Sequence, residues 1–196
     1  MEQIRSFIAI ELTEELKVKL GQLEAQLKSG QQLRVKWVDP EAIHLTLKFL
    51  GNIAAGRTGE IARAMEEAAQ GVPPFHLEVK GLGAFPSLKR VQVVWVGVGG
   101  EVEKLCELQR RIESNLARLG FAPESRPFTG HLTLGRVRDQ ATPDERERLG
   151  QLIAGTAFEI DCALPVGAVS LMRSQLTRQG AIYSRISLVS LKGSRQ

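Results

Sequence analysis

The tetrapeptide His-Leu-Thr-Leu occurs twice, at residues 44–47 and 131–134, so two of the chain's three histidines stand in identical settings. At ordinary residue usage, a chance second copy in a chain of this length has a probability well below about one per cent. The repeat constrains fold and chemistry together. In an extended strand, alternate residues share a face. His44 and Thr46 then project to one side, and Leu45 and Leu47 to the other. His131 and Thr133 repeat the arrangement. Each copy reads as a strand with one buried face, whose polar face carries an imidazole and a hydroxyl.

The surroundings of the motif recur as well. In the first half the pattern predicts a strand at 5–11, then a helix at 14–28 with Thr13 as N-cap and Gly30 beyond its end. A short strand at 35–38 and an Asp39-Pro40 turn lead into the first motif strand, which should stop at Gly51. A helix at 59–70, closed by Gly71, Pro73 and Pro74, precedes a strand at 75–79. The second half predicts a strand at 91–98, a helix at 101–119 and the second motif strand. A helix then starts at Thr142, with Pro143 in its first turn and Glu145 completing a capping box. Strands at 157–164, 169–174 and 181–191 follow. Residues 81–90, with Gly81, Gly83 and Pro86, read as the crossover between halves, and 173–181 as a hairpin loop.

The motif histidines are 87 residues apart, and the same offset carries Thr13 to Gly100, another helix start. Two copies are too few for a solenoid, so the chain is a duplicated lobe. The expected architecture is α+β and bilobal with pseudo-two-fold symmetry. Two mainly antiparallel sheets flank a central cleft, with helices outside. Residues 1–196 form one domain, with halves near 1–80 and 91–170 and with 171–196 adding C-terminal strands.

Several function classes fall away. No run approaches the roughly 18 apolar residues of a membrane span, and the N-terminus reads as a strand rather than a signal peptide. The default expectation is a monomer in the cytosol. Cys106 and Cys162 lack metal-binding spacing; both are expected to be buried and inert, Cys106 on the apolar stripe of its helix. There is no HExxH or CxxC, and the Val-Gly-Val-Gly-Gly stretch at 96–100 lacks the Lys-Ser/Thr of a phosphate loop. Neither metal nor cofactor is expected. A net charge of +4 leans mildly towards an anionic partner.

Two histidines suit proton transfer at neutral pH, since imidazole titrates near about 6.5. One can donate a proton while the other accepts one, as in-line hydrolysis of a phosphodiester requires. Thr46 and Thr133 would donate hydrogen bonds to non-bridging oxygens. Arg136 would grip phosphate, but alternation points it away from His131 unless a bulge near Gly135 turns it. Arg126 and Phe128 are further candidates. Among the scarce aromatics, Phe49 and Trp95 are assigned to the core, and Trp37 and Phe128 to the border of the site.

The paired motifs, in VDPEAIHLTLKFLG (38–51) and RPFTGHLTLGRVR (126–138), resemble those of the two-histidine phosphoesterases. The closest resemblance is to the RNA 2′,3′-cyclic phosphodiesterase, or 2′-5′ RNA ligase, family. It extends through RSFIAIEL, GAFPSLKRVQVVWVGV and LMRSQLTRQGAIYSRI, nearly end to end. The resemblance implies a bilobal fold that opens a terminal 2′,3′-cyclic phosphate on RNA or a nucleotide to a 2′-phosphomonoester without a metal. It implies that His44 is the proton donor and His131 the proton acceptor. Thr46, Thr133 and Arg136 become the phosphate-binding residues. Gly130 departs from the proline common in relatives, and glycine permits the same strand. The alternatives are 2′-5′ ligation as the reverse reaction and a non-catalytic nucleotide- or RNA-binding module.

Overall fold

Strand β1 (Gln3–Glu11) sets the pattern for the whole molecule. Ile4, Ile8 and Ile10 enter the main core, while Arg5, Phe7, Ala9 and Glu11 turn to the opposite face. The computed structural model describes residues 2–29 and 33–193; Gly30 lies outside them. Helix α1 (Glu14–Lys28) starts at Thr13, whose hydroxyl accepts the Leu16 N–H, with Glu14 and Glu15 in the first turn. After the short β2 (Val35–Trp37) come β3 (His44–Ala54) and α2 (Thr58–Ala69), then β4 (Phe75–Phe85) and β5 (Val93–Gly100). Next are α3 (Val102–Arg118), β6 (His131–Val137) and α4 (Pro143–Gly155), the last opened by the Thr142–Glu145 capping box. β7 (Glu159–Val166), β8 (Ala168–Thr177) and β9 (Gly180–Ser190) complete the chain. Among the described residues, no helix is long and apolar enough to cross a membrane.

The strands form two antiparallel sheets, ordered β3-β1-β8-β9 and β2-β6-β5-β4-β7. In both, the motif strand pairs with the first strand of its own half: β3 with β1, and β6 with β5. Beyond that the halves exchange strands. β2 and β4 of the first half join the second sheet, while β8 and β9 of the last part join the first. The halves in sequence are therefore not the halves in space, and one apolar core runs through both. Exchange removes the problem of thin separate cores, because each sheet is completed by the other half.

Three loop expectations are corrected. β3 does not stop at Gly51; it continues to Ala54. Residues 81–85 are not crossover but the second half of β4. Gly51 and Gly81 have φ of 70° and 79°, and both sit at shifts in strand pairing. Their freedom to adopt positive φ lets the chain kink and keep its partner, where sequence alone reads a breaker. Nor is 173–181 a loop. β8 and β9 pair as far as Thr177 and Gly180, leaving a two-residue turn.

Cys106 is exposed and Cys162 only half-buried, which corrects the burial expected of both. The inward face of α3 is Leu105, Leu108, Ile112 and Leu116, and Cys106 lies one residue, about 100°, off that stripe.

Candidate active site

Both motif histidines begin their strands, and both are pinned in the same way. His44 Nδ1 lies 2.8 Å from the Ala42 carbonyl and His131 Nδ1 lies 2.7 Å from the Thr129 carbonyl, each two residues upstream. A carbonyl only accepts, so each Nδ1 carries a proton and each Nε2 is the nitrogen left for chemistry. Aromatic rings brace both imidazoles. Phe7 stacks on His44 at 4.5 Å between centroids, with the Tyr183 edge at 5.0 Å. Phe85 approaches His131 edge-on at 5.0 Å, and Trp95 lies 6.5 Å away.

Each motif carries a bulge at its fourth residue. Ala9 pairs with Thr46 and Ile8 with Lys48, which leaves Leu47 without a partner. Trp95 pairs with Thr133 and Val94 with Gly135, which leaves Leu134 without one. One extra residue moves everything after it to the other face. Arg136 therefore shares a face with His131 and Thr133, as the conditional expectation of a bulge near Gly135 required. Phe49 moves out of the core by the same shift and is 64% exposed, correcting its core assignment. Trp95 is half-buried beside His131 and packs on Phe85 without lining the cleft, which corrects its core assignment too. Lys48 is buried, its amine 2.8 Å from Glu113 and 2.9 Å from the Ala122 carbonyl, and the pair borders the cleft.

A cleft of about 590 Å³ lies between the motif strands, a volume suited to a nucleotide. His44, Thr46, His131, Thr133 and Arg136 all line it. No described group engages either threonine hydroxyl, and Arg136 has no carboxylate partner among the described residues. Phe128 lines the cleft, whereas Arg126 does not. Trp37 is not at the cleft either; it packs on the core under Lys28, whose amine is 5.5 Å from the ring. Glu41, three residues before His44, reaches away to Lys17 at 3.3 Å.

The sequence reading missed Arg5, Phe7, Glu11, Leu176 and Tyr183. All but Glu11 line the cleft, and Glu11 pairs with His44 across β1 and β3. They come from strands far from either motif, so spacing could not have found them. Burial moves His44 below the usual imidazole range, against the Ala42 carbonyl and the Glu11 charge, which favour its protonated form. Burial pushes the Tyr183 phenol up, against the nearby charges of Arg136 and Arg5. The arrangement provides two proton-transfer nitrogens, two free hydroxyl donors and an unpaired guanidinium around one nucleotide-sized space, which suits acid–base chemistry on a phosphate ester.

Known proteins resemble this chain along nearly its whole length. The sequence model for the LigT like Phosphoesterase family matches residues 10–95 and again 96–183. The chain belongs to that family. A protein of Methanothermobacter thermautotrophicus named RNA 2′,3′-cyclic phosphodiesterase is 35% identical over 189 residues, covering 96% of this chain and all of that one. One of the same name from Aquifex aeolicus is 29% identical, covering 98% of this chain and all of its own. Among solved structures, that of E. coli LigT complexed with 3′-AMP superposes with a TM-score of 0.78 at 25% identity, covering 97% of this chain and 99% of that one.

Proposed function

We propose that this protein hydrolyses 2′,3′-cyclic phosphate at an RNA end or on a nucleotide to a 2′-phosphomonoester, without metal, with His44 as proton donor and His131 as proton acceptor. The observation that carries the reading is the matched pinning of the two imidazoles, which reserves both Nε2 atoms for a ligand in one cleft. In this reaction the neutral His131 Nε2 takes a proton from water as its oxygen attacks phosphorus. The P–O3′ bond breaks in line, and His44 Nε2–H protonates the leaving 3′-oxygen. The proton gained by His131 and lost by His44 exchange through solvent before the next turnover. Thr46, Thr133 and Arg136 hold the non-bridging oxygens as charge builds on them. The names of the relatives and the 3′-AMP bound to E. coli LigT support a substrate with a nucleoside attached. The enzyme is proposed to act as a monomer in the cytosol.

Incubation with a 2′,3′-cyclic nucleotide in EDTA tests the reading, with the product resolved by phosphate-31 NMR. The expected product is the 2′-phosphate, formed at the same rate with and without chelator. A 3′-phosphate, or a rate abolished by EDTA and restored by a divalent ion, contradicts it.

A further inference from the structure

The two halves of the cleft are built alike, yet a proton donor and a proton acceptor must differ. One difference is what stands directly across from each histidine. His44 pairs with Glu11 of β1, whereas His131 pairs with Gly97 of β5. Gly97 cannot be replaced by a carboxylate without strain, because a Cβ there would lie 2.9 Å from the Lys80 carbonyl and 3.3 Å from the Trp95 ring. Glu11 in turn is held in place from two further strands. It accepts a hydrogen bond from the buried Ser170 hydroxyl at 2.5 Å and one from Arg185 Nε at 2.8 Å.

We propose that Glu11 is a positioning residue that acts through His44: its negative charge, fixed directly across the strand pair, favours the protonated form of that imidazole and so supports its role as the acid. This inference rests on the two-histidine reading above and adds a source of its asymmetry. Burial alone strips the proton from His44, and the Glu11 charge opposes that loss. Burial also works to raise Glu11, but the hydrogen bonds from Arg185 and Ser170 and the charges of Arg185 and Lys17 outweigh it and keep the carboxyl ionised. The other groups around His44 do not supply such a charge. Phe7 and Tyr183 present rings, and Ala42 a carbonyl. Arg5, Arg136, His131, Glu124 and the Lys48–Glu113 pair line the same cleft, but Glu11 is the charged residue paired directly with His44 across the two strands.

The test is the pH dependence of kcat/KM on a 2′,3′-cyclic mononucleotide for the wild type, Glu11→Gln, Glu11→Asp and Arg185→Gln. The limbs belong to the coupled pair, so the limb that His44 governs is identified as the one that follows the NMR titration of its imidazole. Glu11→Gln is expected to move that limb down by about one pH unit and leave the other limb in place. Glu11→Asp, which keeps the charge, should return most of the shift. Arg185→Gln removes the compensating cation and should move the same limb upward, which keeps the test alive should Glu11→Gln fail to fold. Limbs that stay in place while all rates fall together would overturn the proposal and make Glu11 merely structural. Movement only of the limb that follows the His131 imidazole would overturn it, because the Glu11 charge would then act on the other histidine. A wild-type profile with no limbs between pH 5 and 9 would overturn the two-histidine reading itself, whatever the variants do.

Discussion

Phe49 and Arg136 occupy the same place in the two copies of the motif. Each follows its histidine by five residues, each is brought to the cleft face by a bulge at the fourth motif residue, and each lines the cleft. Duplication preserved the backbone device and changed what it presents. One wall offers a cation and the other an exposed aromatic ring. In the proposed reaction the phosphate lies towards Arg136 and the less polar part of the substrate towards Phe49.

Arg136 and the two threonines should therefore act on the rate more than on the fold. Arg136→Ala should lower kcat/KM by roughly 10²–10³-fold, and Arg136→Lys should recover part of it, since an ammonium supplies charge without the bidentate fork. Thr46→Ala and Thr133→Ala should each cost on the order of 1–4 kcal/mol of transition-state stabilisation. Steady-state kinetics with a thermal melt on each variant checks this. Unchanged kcat/KM in Arg136→Ala would remove it from phosphate binding.

The duplication, the antiparallel sheets and the five motif residues could be read from the chain because they rest on local patterns: alternation, helix caps and a fixed offset. What escaped was longer in range. Glycine at 51 and 81 signals a kink or an end equally well, and only the neighbouring strand decides which. The bulge at Leu47 adds no unusual residue, so Phe49 looked like core by simple alternation. Glu11 and Tyr183 reach His44 through strand pairing and side-chain packing, respectively, with no motif of their own. The exchange of β4 with β8 and β9 is set by which sheet edge each strand can complete, a property of the assembled lobes.

A second consequence of the first bulge is energetic. It drives Lys48 into the protein, where Glu113 on α3 compensates its charge. Glu113→Gln removes that charge and should destabilise the protein by about 3–5 kcal/mol, measured by urea unfolding. Adding Lys48→Met in the same chain should recover most of the loss, because the remaining pair is neutral. Equal stability of Glu113→Gln and wild type would show that Lys48 is hydrated rather than buried.

Stability should also depend on Glu24, buried in α1 with Lys28 as its partner at 3.2 Å. One carboxylate oxygen has no hydrogen-bond partner among the described residues. Burial raises its titration above the ordinary carboxyl range, against the Lys28 contact. The folded state then holds the Glu24 proton more tightly than the unfolded state. Its favourable contribution is complete below the unfolded value of about 4.3 and is lost as pH rises through the folded value. Glu24→Gln should therefore raise Tm at pH 7, with about 2–4 °C for each kcal/mol relieved, and the gain should shrink as pH falls towards 4. Melts of both proteins at pH 4 and 7 check the sign. A gain that grows in acid would contradict it.

The most direct test of the account separates the two histidines by what each does to the proton. A 2′,3′-cyclic substrate with sulfur in place of the 3′-oxygen has a leaving group that departs without being protonated. Both His44→Ala and His131→Ala should lose about 10²–10⁴-fold on the ordinary oxygen substrate. On the 3′-sulfur substrate, His44→Ala should regain most of that loss, and His131→Ala should regain none, because water must still be activated. Losses of equal size on both substrates for His44→Ala, or rescue of His131→Ala instead, would contradict the assignment of acid and base.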